Sequence, residues 1–177
     1  MPATPTFTEP KTWAFQEGVE SSELNTIRDI LRSMGPHLIA RKGSDQSVAS
    51  TTLANDNTLF TPSIAANEVW YLRLVHFVVT GAGAMKTAYS IPTGSELQRT
   101  ITGSNGTVVV EHIQQTASDT PVHTYIAGAA TGRLYLDEML FINAGTAGAV
   151  TLRIALNSAS GTSTSKANST LWGVQLA

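Results

Sequence analysis

Beyond Gly43 the chain reads as a succession of short runs rich in Val, Ile, Leu, Thr, Tyr and Phe, parted by Gly, Asn, Ser and Asp. No helix-length segment intervenes between them. Parallel strands need a crossover of a dozen or more residues, whereas antiparallel strands close through short turns, so this spacing favours an antiparallel sandwich or jelly roll over a parallel α/β sheet. The runs fall near 46–53, 57–64, 68–79, 84–91, 97–102, 107–115, 121–127, 133–143, 148–157 and 170–176; the fifth is the weakest, and about nine strands are expected. Gly103-Ser104-Asn105-Gly106, Asn143-Ala144-Gly145-Thr146-Ala147-Gly148 and Asn55-Asp56-Asn57 have the residues of tight turns and predict hairpins. The expected fold class is mainly β: an antiparallel β-sandwich, jelly-roll-like, over residues 43–177.

Two runs carry a burial signal. In Glu68–Val79 both faces are largely apolar, with Trp70, Leu72, Leu74 and Val78 on one side and Val69, Tyr71, Val75 and Phe77 on the other, which predicts a central strand covered on both faces. In Gly148–Asn157, Val150, Leu152, Ile154 and Leu156 alternate inward against Thr151, Arg153 and Asn157 outward.

Residues 1–36 have a different character. Four of the seven prolines are Pro2, Pro5, Pro10 and Pro36, while twelve of fourteen glycines follow Gly35. Proline disfavours helix, so residues 1–20 are expected to be an extended arm, and Trp13 and Phe15 are large rings suited to anchor it in a groove. From Ser22 to Met34, Leu24, Ile27, Ile30, Leu31 and Met34 share one face of a helical wheel. Ser21 or Ser22 caps the start and Gly35-Pro36 stops the end, which predicts one short amphipathic helix. Thirteen residues are marginal as an isolated helix, so the stripe needs a cover. Trp13, Phe15, Leu24, Ile27, Leu31 and Met34 are the candidate attachment residues, and 1–36 is expected to serve attachment or oligomerisation.

The 177-residue chain holds 11 Lys+Arg, 13 Asp+Glu and no cysteine. Disulfide scaffolds, Cys-ligated metal and thiol catalysis are thereby excluded, and no basic footprint for nucleic acid exists. No run reaches the ~18 apolar residues that span a bilayer, and Met1–Pro10 does not read as a secretory signal, so no membrane partner is expected. Charged residues make up only 14%, against about 25% in typical soluble domains. A surface so poor in charge predicts contact with other subunits, with a homotrimer as the expected state.

Catalytic signatures are not found. Gly81-Ala82-Gly83-Ala84-Met85-Lys86 lacks the third glycine of a dinucleotide fingerprint and the Gly-Lys-Ser/Thr of a phosphate loop, and no serine has glycine two residues away on each side. His37, His76, His112 and His123 lack ligand spacing; His76 is expected to be a hydrogen-bonded core or interface histidine, and only His112 and His123, on neighbouring predicted strands, are candidates to approach one another. Asp137 and Glu138 point to opposite faces of a strand and cannot act as a catalytic pair; the inward one is expected to pair with Arg133 or Arg153. Asn55-Asp56-Asn57 reads as a turn rather than a calcium loop, and Asn105-Gly106-Thr107 and Asn168-Ser169-Thr170 as chance glycosylation matches. No enzyme activity, cofactor or metal is expected.

Several segments resemble a known family: Ser21-Ser22-Glu23-Leu24-Asn25-Thr26-Ile27-Arg28-Asp29, Lys42-Gly43-Ser44-Asp45-Gln46-Ser47-Val48, Ser50-Thr51-Thr52-Leu53 and Ala65-Ala66-Asn67, with Gly145–Arg153, Asn157, Ser158–Ser165 and Ser169–Leu176 at the far end. Covering about half the chain, they resemble minor structural proteins of tailed bacteriophages. The resemblance implies a virion component assembled in the host cytoplasm, with a β-sandwich head docked by its amino-terminal arm and helix to the major capsid protein or to tail proteins. Capsid decoration is the favoured role; a minor tail or tail-fibre protein, or a carbohydrate-binding, receptor-binding module, are the alternatives.

Overall fold

The computed structural model describes residues 37–104, 108–125 and 132–176. The predicted arm and helix, and with them Trp13, Phe15, Leu24, Ile27, Leu31 and Met34, lie outside the described residues. Within them run twelve strands: β1 (His37–Arg41), β2 (Gln46–Val48), β3 (Ala54–Phe60), β4 (Val69–Val79), β5 (Met85–Ser90), β6 (Glu96–Ser104), β7 (Val108–Gln115), β8 (His123–Thr124), β9 (Arg133–Ile142), β10 (Thr151–Leu156), β11 (Ser163–Ser165) and β12 (Thr170–Gln175). They form two sheets, sandwich-like. The larger has the order β1-β12-β4-β9-β6-β7, with β11 pairing both β2 and β4; the smaller has the order β3-β10-β5-β8. Every strand pairing is antiparallel, as the absence of helical crossovers favoured.

The core lies between the sheets. Leu72, Leu74 and Val78 of β4 and Met139 and Phe141 of β9 face Met85, Tyr89, Leu152 and Ile154 of the smaller sheet. The alternation read in β10 is observed as far as Ile154: Val150, Leu152, Ile154 and Leu156 are at most 1% exposed and Thr151 and Arg153 are half-buried, but Ala155, on the outward side, is sealed as well. In β4 the central position is observed, between β12 and β9, but only one face is sealed. Its other face, with Tyr71, Arg73, Val75 and Phe77, is half-buried or exposed.

Two predicted hairpins are corrected. Asn55-Asp56-Asn57 lies inside β3, and β2 and β3 belong to different sheets, pairing β11 and β10. The cause is Asp56, drawn into the interior by Lys42 rather than left in a solvated turn. Asn143–Gly148 likewise does not join neighbours, because it carries the chain from β9 in the large sheet to β10 in the small one. Asn143 holds the departure point: fully buried, it donates to the carbonyls of Ile64 at 3.1 Å and Ala65 at 2.9 Å and accepts from Ser95 Oγ at 2.8 Å. Gly145 then passes so close to the Thr93 carbonyl that a β-carbon there would overlap it. The pair β6–β7 does form, in register from Leu97↔Gln115 to Ser104↔Val108.

Two strands lie outside the predicted runs. β1 falls between the arm-and-helix segment and the first predicted run, and pairs with β12. β11 is Ser163-Thr164-Ser165, whose composition gives no apolar signal although Ser163 and Ser165 are fully buried. Phe141 sits at 0% exposure between β4 and β6; Phe141→Ala is expected to lower the urea unfolding free energy by ~3–5 kcal/mol through the cavity it leaves.

Candidate functional site

Buried polar groups and the outer face of the large sheet are the two places where chemistry gathers. The first is a continuous chain of side chains crossing the core. Lys42, just after β1, has no exposed surface and donates to Asp56 Oδ1 at 2.9 Å, Gln46 Oε1 at 3.0 Å and Asn57 Oδ1 at 2.7 Å, which uses its three protons. Asp56 also accepts the backbone N–H groups of Thr58 and Leu59 at 3.0 Å and the hydroxyl of Ser165 at 2.9 Å. Ser165 Oγ lies 2.9 Å from His76 Nε2, and His76 Nδ1 lies 3.1 Å from the Tyr125 hydroxyl. Tyr125 stacks on Tyr135 with ring centroids 3.8 Å apart, and His123 meets its edge.

These contacts fix the protons. A carboxylate only accepts, so Ser165 donates to Asp56; its oxygen is then left to accept from His76 Nε2–H, and His76 Nδ1 accepts the Tyr125 proton. Burial, reinforced by the nearby Asp137 charge, holds the Tyr125 hydroxyl well above its ordinary pKa, so it keeps that proton. The order Asp–Ser–His is the reverse of a nucleophile's requirement, in which the imidazole takes the serine proton. Asp, Ser and His meet here as a structural clamp. His76 is thus the hydrogen-bonded core histidine the sequence led to.

A second buried group repeats the principle. Arg99 Nη2 lies 2.7 Å from Asp137 Oδ2, its guanidinium sits 4.6 Å above the Tyr89 ring, and the Tyr89 hydroxyl donates to the same carboxylate at 3.0 Å. Asp137 points inward and Glu138 outward, as strand geometry demanded, but the partner is Arg99 rather than Arg133 or Arg153. Arg99 reaches it diagonally from β6, the strand beside β9. Arg153 instead pairs with Asp119. His112 and His123 fall in different sheets, the former exposed against Thr100 and the latter buried at Tyr125. Among the described residues no group of three or more His, Asp or Glu is arranged to hold a metal ion.

The outer face of the large sheet is the accessible site. Register places Trp172, Arg73, Glu138, Thr100 and His112 in one row across β12, β4, β9, β6 and β7. Flanking rows hold Val174, Tyr71 and Leu140 on one side and Val75 and Leu136 on the other, followed by Phe77 beside Leu134. Phe77 is 38% exposed and Leu134 46%. Three open hollows lie on this face: about 560 Å³ around Tyr71, Gln98, His112 and Glu138, about 500 Å³ around Tyr71, Arg73, Val75 and Trp172, and about 510 Å³ beside Phe77 and Leu134. Tyr71 donates to Glu138 Oε1 at 2.6 Å; burial and then that carboxylate raise its pKa. The alternating β9 sequence carries the missed signal, since its outward positions Leu134, Leu136, Leu140 and Ile142 are as apolar as its inward ones.

The chain matches no protein-family model and no curated protein.

Two outcomes follow from the buried groups. Burial lowers the His76 pKa from 6.5 to about 4, with Asp56 opposing and Lys42 assisting. The unfolded chain therefore binds more protons between those values, so the stability contributed by neutral His76 is complete above pH 6.5 and falls by about 3 kcal/mol as the pH drops towards 4. Urea titrations across this range are expected to show that slope, and His76→Asn to flatten it. Arg99→Met strands the Asp137 charge and is expected to reduce stability by ~3–5 kcal/mol in the same assay.

Proposed function

We propose that this chain is a non-enzymatic structural component of a tailed-bacteriophage virion, a capsid decoration protein whose residues 1–36 dock it to the particle. The observation that carries this reading is the outer face of β12, β4 and β9, where apolar side chains stand on three adjacent strands with few charges among them. A face of that kind belongs against another protein surface. The low charged fraction of 14% supports the same conclusion, as does the commitment of the Ser165 and His76 protons to packing. The finer parts of the proposal are a jelly-roll-like body, an amphipathic helix over 22–34 carrying Leu24, Ile27, Leu31 and Met34, and an arm carrying Trp13 and Phe15. Its partners would be other copies and the major capsid protein, or tail proteins if it sits there, with assembly in the host cytoplasm.

Mass spectrometry of purified particles with copy number tests the assignment: hundreds of copies support decoration, a handful supports a minor tail or fibre protein, and none overturns the virion reading. Deleting 1–36 spares every described strand and is expected to leave a folded β body by circular dichroism that no longer joins particles. Truncated chains that still assemble would remove the arm from the proposal. One observation favours a second reading as a carbohydrate-binding module: the hollow of about 560 Å³ sets the Tyr71 ring among Gln98, Gln114, His112 and Glu138, groups that hydrogen-bond sugar hydroxyls. Binding on a glycan array that Tyr71→Ala abolishes would favour it.

A further inference from the structure

We infer that the outer face of the large sheet binds the same face of a second copy of this chain, with Arg73 of one copy against Glu138 of the other. Charge selects the occupant. At the centre of the face, Arg73 on β4 stands directly opposite Glu138 on β9, so the row carries one cation and one anion on adjacent strands. The Glu138 carboxylate accepts the Tyr71 hydroxyl, and Arg73 remains exposed beside it. A two-fold axis running along the strands between β4 and β9 lays β4 of one copy over β9 of the other. It keeps each row in its own register, so both Arg73 groups meet a Glu138 in one step. The surrounding rows are uncharged on these strands: Tyr71 and Leu140 lie on one side, and Val75 and Leu136 on the other. An unrelated basic or acidic partner would leave one of the two central charges facing its like; a second copy satisfies both.

Area agrees with charge. The four strands β12, β4, β9 and β6, with 6, 11, 10 and 9 residues at ~3.3 Å each and ~4.8 Å between strands, give roughly 570 Å² for each copy before side-chain relief is added. Stable interfaces bury about 600–1,000 Å² per partner, so this face reaches the lower end of that range. The hollows beside Trp172 and beside Phe77 and Leu134 give this face the relief into which the partner's own outward side chains can settle. Such stacking also supplies the second cover that the apolar outward positions of β4 require.

The test uses the full chain and its charge reversals, followed by sedimentation velocity and light scattering. Wild type is expected to self-associate at micromolar concentration. Arg73→Glu and Glu138→Arg are each expected to weaken association at least tenfold, while an equimolar mixture of the two regains it, because every cross-copy contact then joins opposite charges. Circular dichroism melts check that each variant is folded, and recovery in the mixture cannot come from misfolded protein. A monomeric wild type, single reversals that associate as wild type does, or a mixture that stays apart would each overturn the inference. Self-association without incorporation into particles would instead sink the virion assignment and leave this contact standing.

Discussion

A buried ammonium and carboxylate, with three further polar side chains in line, bridge the two sheets from edge to centre. Asp56 comes from the small sheet and Ser165 and His76 from the large one, while Lys42 and Tyr125 follow the ends of β1 and β8. Hydrophobic burial alone would let two sheets slide, since apolar contacts are non-directional. Hydrogen bonds with one permissible arrangement of protons allow a single register. The Arg99–Asp137–Tyr89 group does the same work at a second point, again joining a residue of the small sheet to two of the large. Buried ion pairs are poor sources of net stability, and their value here lies in specifying which strands meet.

This use of charge explains the exterior. Of the few ionic groups in the chain, Lys42, Asp56, Arg99 and Asp137 are spent inside, which thins the outer surface further than composition alone implies. The large sheet then presents Val75, Leu136, Phe77 and Leu134 outward with Arg73 and Glu138 as the central polar pair. The small sheet covers one side of that sheet, and the proposed contact with a second copy would cover the other.

Much of the architecture was legible because period-two patterning survives in long strands. β4, β9 and β10 were located within a few residues, and the inward set of β10 was read correctly. The errors cluster where polar residues are buried. Asn55-Asp56-Asn57 has turn chemistry, yet a lysine fourteen residues earlier holds its carboxylate in the interior, and β11 is a strand of Ser and Thr hidden by its own composition. Asn143 has the residue type of a turn but acts as a clamp between the sheets' ends. As for the site, His76 was placed in the interior, whereas Lys42 and Ser165 carried no local signal that could tie them to it. The outer face was visible as the doubly apolar reading of Glu68–Val79, although its cover does not come from the described residues.

The placing of β1 beside β12 has a mechanical side. His37 lies opposite Gly173 and Arg41 opposite Thr170, so the chain enters and leaves this edge at the same end of the ladder. Tension applied between residues 37 and 176 would open that ladder one rung at a time, as a zip opens, instead of shearing all rungs together. The edge therefore yields gradually under a small steady pull on both ends, and a load that the folded body must carry is better delivered along β4 and β9, where ten consecutive registered pairs share it.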